Sequence, residues 1–132
     1  MKYKKMSDEN LRRKQNILES LNIEKETILQ KKKELEELKE TLQLIKETEV
    51  DDTENTEQFK KQLIDCRKAY IDAVSDYNNS LKAIEKLSYV HRQIIIKHYL
   101  ENKRFEEIGA ELNYSPMHVA RMHKEALIQL EV

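Results

Sequence analysis

Apolar residues recur every three or four positions in the first third of the chain. Between residues 11 and 45 they fit a heptad repeat, in which two positions of every seven form an apolar seam. Because seven of the ten seam positions are apolar, the pattern predicts one long amphipathic helix. The seam positions are Lys14, Ile17, Leu21, Glu24, Ile28, Lys31, Leu35, Leu38, Leu42 and Ile45.

A second apolar stripe of the same kind follows. It consists of Phe59, Leu63, Cys66, Tyr70, Ala73, Tyr77, Leu81, Ile84 and Leu87. Residues 48–57, between the stripes, carry five carboxylates and no basic side chain, so we predict a loop there. Two long helices joined by a short polar loop predict an antiparallel helical hairpin. Pairing of the first helix with its copy in another chain, as a coiled coil, is the open alternative.

The last 45 residues predict three short helices, at 89–100, 105–112 and 115–130. We therefore predict an all-α fold with two parts. Residues 1–87 form the long hairpin or coiled coil, and residues 88–132 form a compact three-helix domain.

The last two of these helices contain the residue types of a helix-turn-helix. Gly109 allows two short helices to approach closely, although glycine is a poor helix former. Asn113 accepts the left-handed backbone of a sharp turn, Ser115 caps the next helix, and Pro116 suits its first position. The residues predicted to form the shared core are Ile108, Leu112, Val119 and Met122.

Composition excludes several classes of protein. The 132 residues include one Gly, one Pro and one Cys, which cannot supply a glycine-rich phosphate loop, many tight turns or an intrachain disulfide. We find no catalytic constellation, cofactor signature or set of metal ligands, so we expect a protein that is not an enzyme. The sequence lacks an apolar run of about 18 residues, and we expect a cytoplasmic protein without a membrane segment.

Residues 87–130 resemble region 4 of sigma-70-type RNA polymerase subunits. The resemblance lies in residues 92–99, 106–109, 115–119 and 124–130. Residues 113–116 and 122–127, behind a coiled-coil-like front half, are also similar to small sigma-like regulators of Gram-positive phages and prophages, of the ArpU and RinA type. This second resemblance implies positive control of late phage genes, such as those for packaging and morphogenesis.

We predict that double-stranded DNA is the main partner and that the helix at 115–130 enters the major groove. Where sigma factors usually place charged readers of the promoter, this chain has Pro116, Met117 and Ala120. The residues predicted to meet the groove are Ser115, Met117, Arg121 and Lys124, and those predicted to contact phosphates are Lys103, Arg104 and His118.

Residues 88–132 contain six basic and six acidic side chains, so this part attracts phosphate weakly. Additional affinity then comes from a homodimer through the long helices or from RNA polymerase as a second partner. Two alternatives follow: a module that binds polymerase or another protein without reading DNA, and a DNA-binding packaging protein similar to phage small terminase subunits.

Overall fold

The computed structural model describes residues 7–48 and 53–132, and the regular structure in these ranges is entirely helical. The predicted all-α fold is therefore confirmed. The elements are α1 (Asp8–Glu19), α2 (Leu21–Glu47), α3 (Thr53–Glu85), α4 (Tyr89–Ile95), a π-helical segment (Ile96–Leu100), α5 (Phe105–Leu112) and α6 (Pro116–Gln129).

The predicted heptad seam is the covered side of α1 and α2. All ten seam residues are buried or half-buried, and Leu35 and Leu42 are 7% and 6% exposed. The prediction of one continuous helix is wrong at Ser20, which separates α1 from α2. The Ser20 hydroxyl donates a 2.8 Å hydrogen bond to the Ile17 carbonyl oxygen, a local bond that competes with the helical ladder.

The predicted loop at 48–57 is too long, since α3 begins at Thr53. Carboxylates are favourable at the start of a helix, so the composition that predicted a loop also suits a first helical turn. Residues 49–52 lie outside the described part of the chain.

The chain forms two compact units. One comprises the described part of residues 1–22 together with residues 77–132, and the other comprises residues 23–76. In the first unit Leu21, near the start of α2, shares a core cluster with Ala83 and Ile84, near the end of α3. The predicted antiparallel hairpin of the two long helices stays a prediction. The predicted domain division at residue 87 also stays a prediction.

The first unit has two buried clusters. The larger joins Leu18 and Leu21 to Ile95, Ala126 and Leu127, so α1 packs on the C-terminal half of α6. The smaller confirms the predicted core shared by α5 and α6, and α4 also contributes to it. Its buried members are Ile94, Ile108 and Val119, with Val90, Phe105, Leu112 and Met122 packed against them.

The predicted helix at 89–100 is α-helical only to Ile95 and continues as the π-helical segment. The wider turn is closed by the Glu101 N–H, which donates to the Ile96 carbonyl oxygen at 3.1 Å. Asn22 satisfies the carbonyl oxygen of Tyr99 with a 3.1 Å side-chain hydrogen bond. A carbonyl at a helix end needs such a partner when it is partly buried.

Candidate nucleic-acid interface

The turn between α5 and α6 has the predicted backbone geometry. Asn113 ends α5 in the left-handed region, at φ 63° and ψ 42°. The next residue, Tyr114, donates its N–H to the Gly109 carbonyl oxygen at 2.8 Å. The turn is therefore a tight helix C-cap, and the prediction for Asn113 is confirmed.

Gly109 provides a close approach, but its neighbour differs from the one expected. A Cβ at this position would overlap the carbonyl oxygen of Tyr114 and lie 3.5 Å from the carbonyl carbon of Ser115. The absent side chain thus makes room for the backbone that enters α6, whereas we expected it to make room for the crossing of two helices.

α6 begins with the predicted cap. The Ser115 hydroxyl oxygen accepts a 3.1 Å hydrogen bond from the His118 N–H, and Pro116 occupies the first helical position. Both residues fix the direction in which α6 starts. The Ser115 hydroxyl is exposed and keeps its own proton for a further acceptor.

One face of α6 is open to solvent. Met117 is 82% exposed, and Arg121 and Lys124 are also exposed at spacings of four and three residues. The opposite face contains Val119 and Ala126, which are buried in the two core clusters. Residues 113–124 include two cations and no carboxylate, so the exposed half of α6 nearest the turn is positively charged.

Two aromatic rings connect the turn to Arg121. The Tyr114 and His118 rings lie 4.7 Å apart between centroids, and Arg121 Nη2 lies 3.4 Å from His118 Nδ1. Because a guanidinium only donates, His118 Nδ1 is the acceptor in this contact. Tyr114 was absent from our predicted site, although its spacing of four from His118 and seven from Arg121 placed all three on one side.

The two predicted phosphate contacts before α5 are engaged with carboxylates. Lys103 Nζ lies 2.6 Å from Glu111 Oε1, and this bond raises the pKa of Lys103. Lys97 Nζ lies 2.8 Å from the other oxygen of Glu111, and Arg104 Nε lies 3.1 Å from Glu107 Oε1. These carboxylates partly neutralise Lys103 and Arg104, which reduces the attraction of both cations for a phosphate.

A buried polar pair lies behind α6. Burial, and then the nearby His98 ring, lower the pKa of His123 to about 4. The neutral His123 Nε2 accepts a 2.6 Å hydrogen bond from the Tyr99 hydroxyl, whose own pKa is raised by burial. Phe105 packs against both histidine rings, with centroids 4.7 Å from His98 and 5.2 Å from His123. These aromatic contacts connect α6 to the π-helical segment and to the start of α5.

The other end of α6 is held by a residue that the sequence pattern did not place at the site. Lys14, on α1, is 6% exposed, and burial lowers its pKa. Its ammonium donates to the carbonyl oxygens of Leu127, Ile128 and Leu130 at 3.0, 3.4 and 2.5 Å. A cation at a helix C-terminus satisfies free carbonyls and opposes the negative end of the helix dipole. The available signal was a lysine at a seam position of the heptad.

Other kinds of site receive no support from the described residues. Within residues 7–48 and 53–132, no three His, Cys, Asp or Glu side chains are grouped to hold a metal ion. The helices in the same ranges are too short or too polar for any of them to cross a membrane.

Comparison with known proteins identifies the C-terminal part of the chain. Residues 83–131 match the family model described as Sigma-70, region 4. No curated protein and no solved structure matches the chain. The matched range contains the turn at Asn113, the cap at Ser115 and the whole of α6. Residues 83–131 are therefore a sigma-70 region 4-like helix-turn-helix, which suggests a DNA-binding role in transcription.

Proposed function

We propose that this protein is a DNA-binding transcriptional regulator that places α6 in the major groove. The observation that carries the proposal is the exposed face of α6, where Met117, Arg121 and Lys124 project without a carboxylate between residues 113 and 124. The N-terminal residues of the second helix are those that contact base edges in helix-turn-helix proteins.

More specifically, we propose that the protein is a sigma-like activator of late phage genes. It would act in the cytoplasm as a homodimer, together with RNA polymerase. Support for the phage assignment comes from the resemblance of residues 113–116 and 122–127 described above. Support for a second binding partner comes from charge, since six basic and six acidic side chains in residues 88–132 give little attraction to phosphate.

A second candidate function is a module that binds RNA polymerase or another protein without reading DNA. The observation that favours it is the pairing of Lys103 with Glu111 and of Arg104 with Glu107. These pairs reduce the positive charge available beside α5. A protein partner requires less of that charge than a nucleic-acid backbone does.

The experiment measures binding of the full-length protein to duplex fragments of its own genomic neighbourhood, at several salt concentrations, with and without RNA polymerase. We expect Arg121→Ala to weaken specific binding by roughly 1–3 kcal/mol, the usual value of a base contact. Arg67→Ala is the matched control, because Arg67 is an exposed arginine on α3, in the other compact unit. Unchanged affinity in Arg121→Ala would remove α6 as the reading element.

The outcomes separate the candidates. Specific binding by the protein alone supports an autonomous activator, and binding only with polymerase supports a sigma-like factor. Polymerase binding that survives both Arg121→Ala and Lys124→Ala, without a DNA footprint, supports the second candidate. Binding confined to a packaging site, with no effect on transcription, supports the packaging alternative.

A further inference from the structure

We propose that Met117 reads the methyl group of a thymine, beside a guanine read by Arg121. This inference rests on the proposed function, since it names the bases that α6 recognises. It assigns a specificity-determining role to an apolar side chain at a site otherwise described by its cations.

The exposure of Met117 is the first support. At 82% it is the most exposed large apolar side chain in the described part of the chain, and Ile23 follows at 69%. Met117 is the second residue of α6, directly after Ser115 and Pro116, which fix the start of the helix. Its position is therefore set by a rigid turn, while its side chain contributes almost nothing to the core.

The chemistry of the groove supplies the second support. In the major groove, thymine presents a methyl group on its edge that the other three bases lack. A thioether side chain is flexible and polarisable, so it adapts well to a small apolar surface. An exposed methionine at the start of α6 can therefore recognise thymine by apolar contact with its methyl group, as an arginine recognises guanine by hydrogen bonds.

Arg121 gives the third support. It lies four residues after Met117, on the same face and about 6 Å further along the helix axis. Base pairs are stacked about 3.4 Å apart, so the two side chains reach bases within about two steps of each other. His118 Nδ1 accepts only one of the five N–H donors of Arg121, which leaves the others for the two acceptors of guanine.

The experiment begins with selection of bound sequences from a pool of random duplexes, using the full-length protein with and without RNA polymerase. In the selected duplex, each thymine is then replaced in turn by deoxyuridine, which removes only the methyl group. We expect one such replacement to weaken binding about fourfold, the equivalent of one buried methyl-sized group. That thymine should lie within about two base pairs of a guanine.

The variants test whether Met117 is the reader. Met117→Ala should bind the thymine and deoxyuridine duplexes equally, and Met117→Leu should restore most of the difference because it restores apolar contact. Ile64→Ala is the matched control, since Ile64 is also exposed, at 66%, but lies in the other compact unit. This control should keep the full fourfold effect.

The failures are distinguishable. If no duplex is enriched under either condition, the proposed function fails. If duplexes are enriched but no thymine methyl affects affinity, or if Met117→Ala keeps the methyl effect while its circular dichroism matches the parent protein, the inference about Met117 is overturned and the proposed function stands.

Discussion

The ammonium of Lys14 donates a 3.0 Å hydrogen bond to the carbonyl oxygen of Leu127, 113 residues later in the chain. A second bond, of 2.5 Å, reaches the carbonyl oxygen of Leu130. Through this lysine, α1 holds the C-terminal end of the same helix whose other end is fixed by Ser115 and Pro116. α1 is therefore part of the structure that positions the exposed face of α6.

Replacing Lys14 by Met should destabilise the protein by about 2 kcal/mol, because the carbonyls of α6 lose a charged donor and stay buried. Met keeps most of the apolar stem, so packing is largely preserved. The measurement is urea unfolding followed by circular dichroism. Lys25→Met is the control, since Lys25 is exposed on α2. Equal stability of the two variants would show that the hydrogen bonds from Lys14 make no net contribution to the free energy of unfolding.

Gly109→Ala should destabilise the protein by about 2 kcal/mol, although alanine is the better helix former. The reason is the overlap of the added Cβ with the Tyr114 carbonyl oxygen, which belongs to the backbone and has little freedom to move. Thermal or urea unfolding of the parent protein and of Gly109→Ala measures the difference in stability. The same variant should also weaken DNA binding, because the turn sets the direction of α6.

The control for Gly109→Ala is the opposite change at the next position. Because Ala110 is exposed, Ala110→Gly should lower the free energy of unfolding by about 1 kcal/mol, the difference in helix propensity between the two residues. A stabilised Gly109→Ala protein would mean that the turn relaxes without cost, and the close approach would then not explain the glycine.

The features predicted from sequence are those set by local chemistry. Asn113 and Ser115 identify a turn and a cap because their own side chains and backbone preferences create them. The stripes on α2 and α3 are readable because burial repeats with the helical period, and the seam residues Leu35 and Leu42 are indeed buried.

The features missed depend on residues far apart in sequence. Neither Lys14 nor Leu127 indicates its partner, because any lysine can cap a helix that folding brings near. The Asn22 bond to Tyr99 at the π-helical segment is of the same kind. For the site, the sequence pattern gave no sign that Glu111 holds Lys103.

Glu111→Gln should strengthen DNA binding. The Glu111 carboxylate contacts Lys97 at 2.8 Å and Lys103 at 2.6 Å, and a neutral amide would release both cations for phosphates. The logarithm of the binding constant should then fall more steeply with the logarithm of salt concentration, by about 0.9 for each added phosphate contact. Fluorescence anisotropy across a salt series measures both effects.

Glu106→Gln is the control for Glu111→Gln, because it makes the same change in net charge at an exposed carboxylate of α5. An equal gain in both variants would assign the effect to net charge alone. Weaker binding in Glu111→Gln, with the fold intact, would show instead that the carboxylate holds Lys103 in position for DNA.

Stability should decrease as pH falls from 7.5 to 5, in part because of His123. Its pKa is about 4 in the folded protein, below its ordinary value of 6.5, so the unfolded chain binds the proton more readily in this range. The free energy of unfolding therefore rises with pH between about 4 and 6.5. The expected loss on acidification from pH 7.5 to pH 5 is about 2 kcal/mol.

His123→Gln isolates this contribution. The amide oxygen of Gln provides an acceptor for the Tyr99 hydroxyl but does not titrate, so this variant should be less stable at pH 7.5 yet lose about 2 kcal/mol less on acidification. Urea unfolding at pH 7.5 and pH 5 gives the change in the free energy of unfolding for each protein, and these two changes are then compared. An identical pH dependence would mean that His123 is solvated enough to bind a proton in the folded state, and that the Tyr99 bond at 2.6 Å does not hold it neutral.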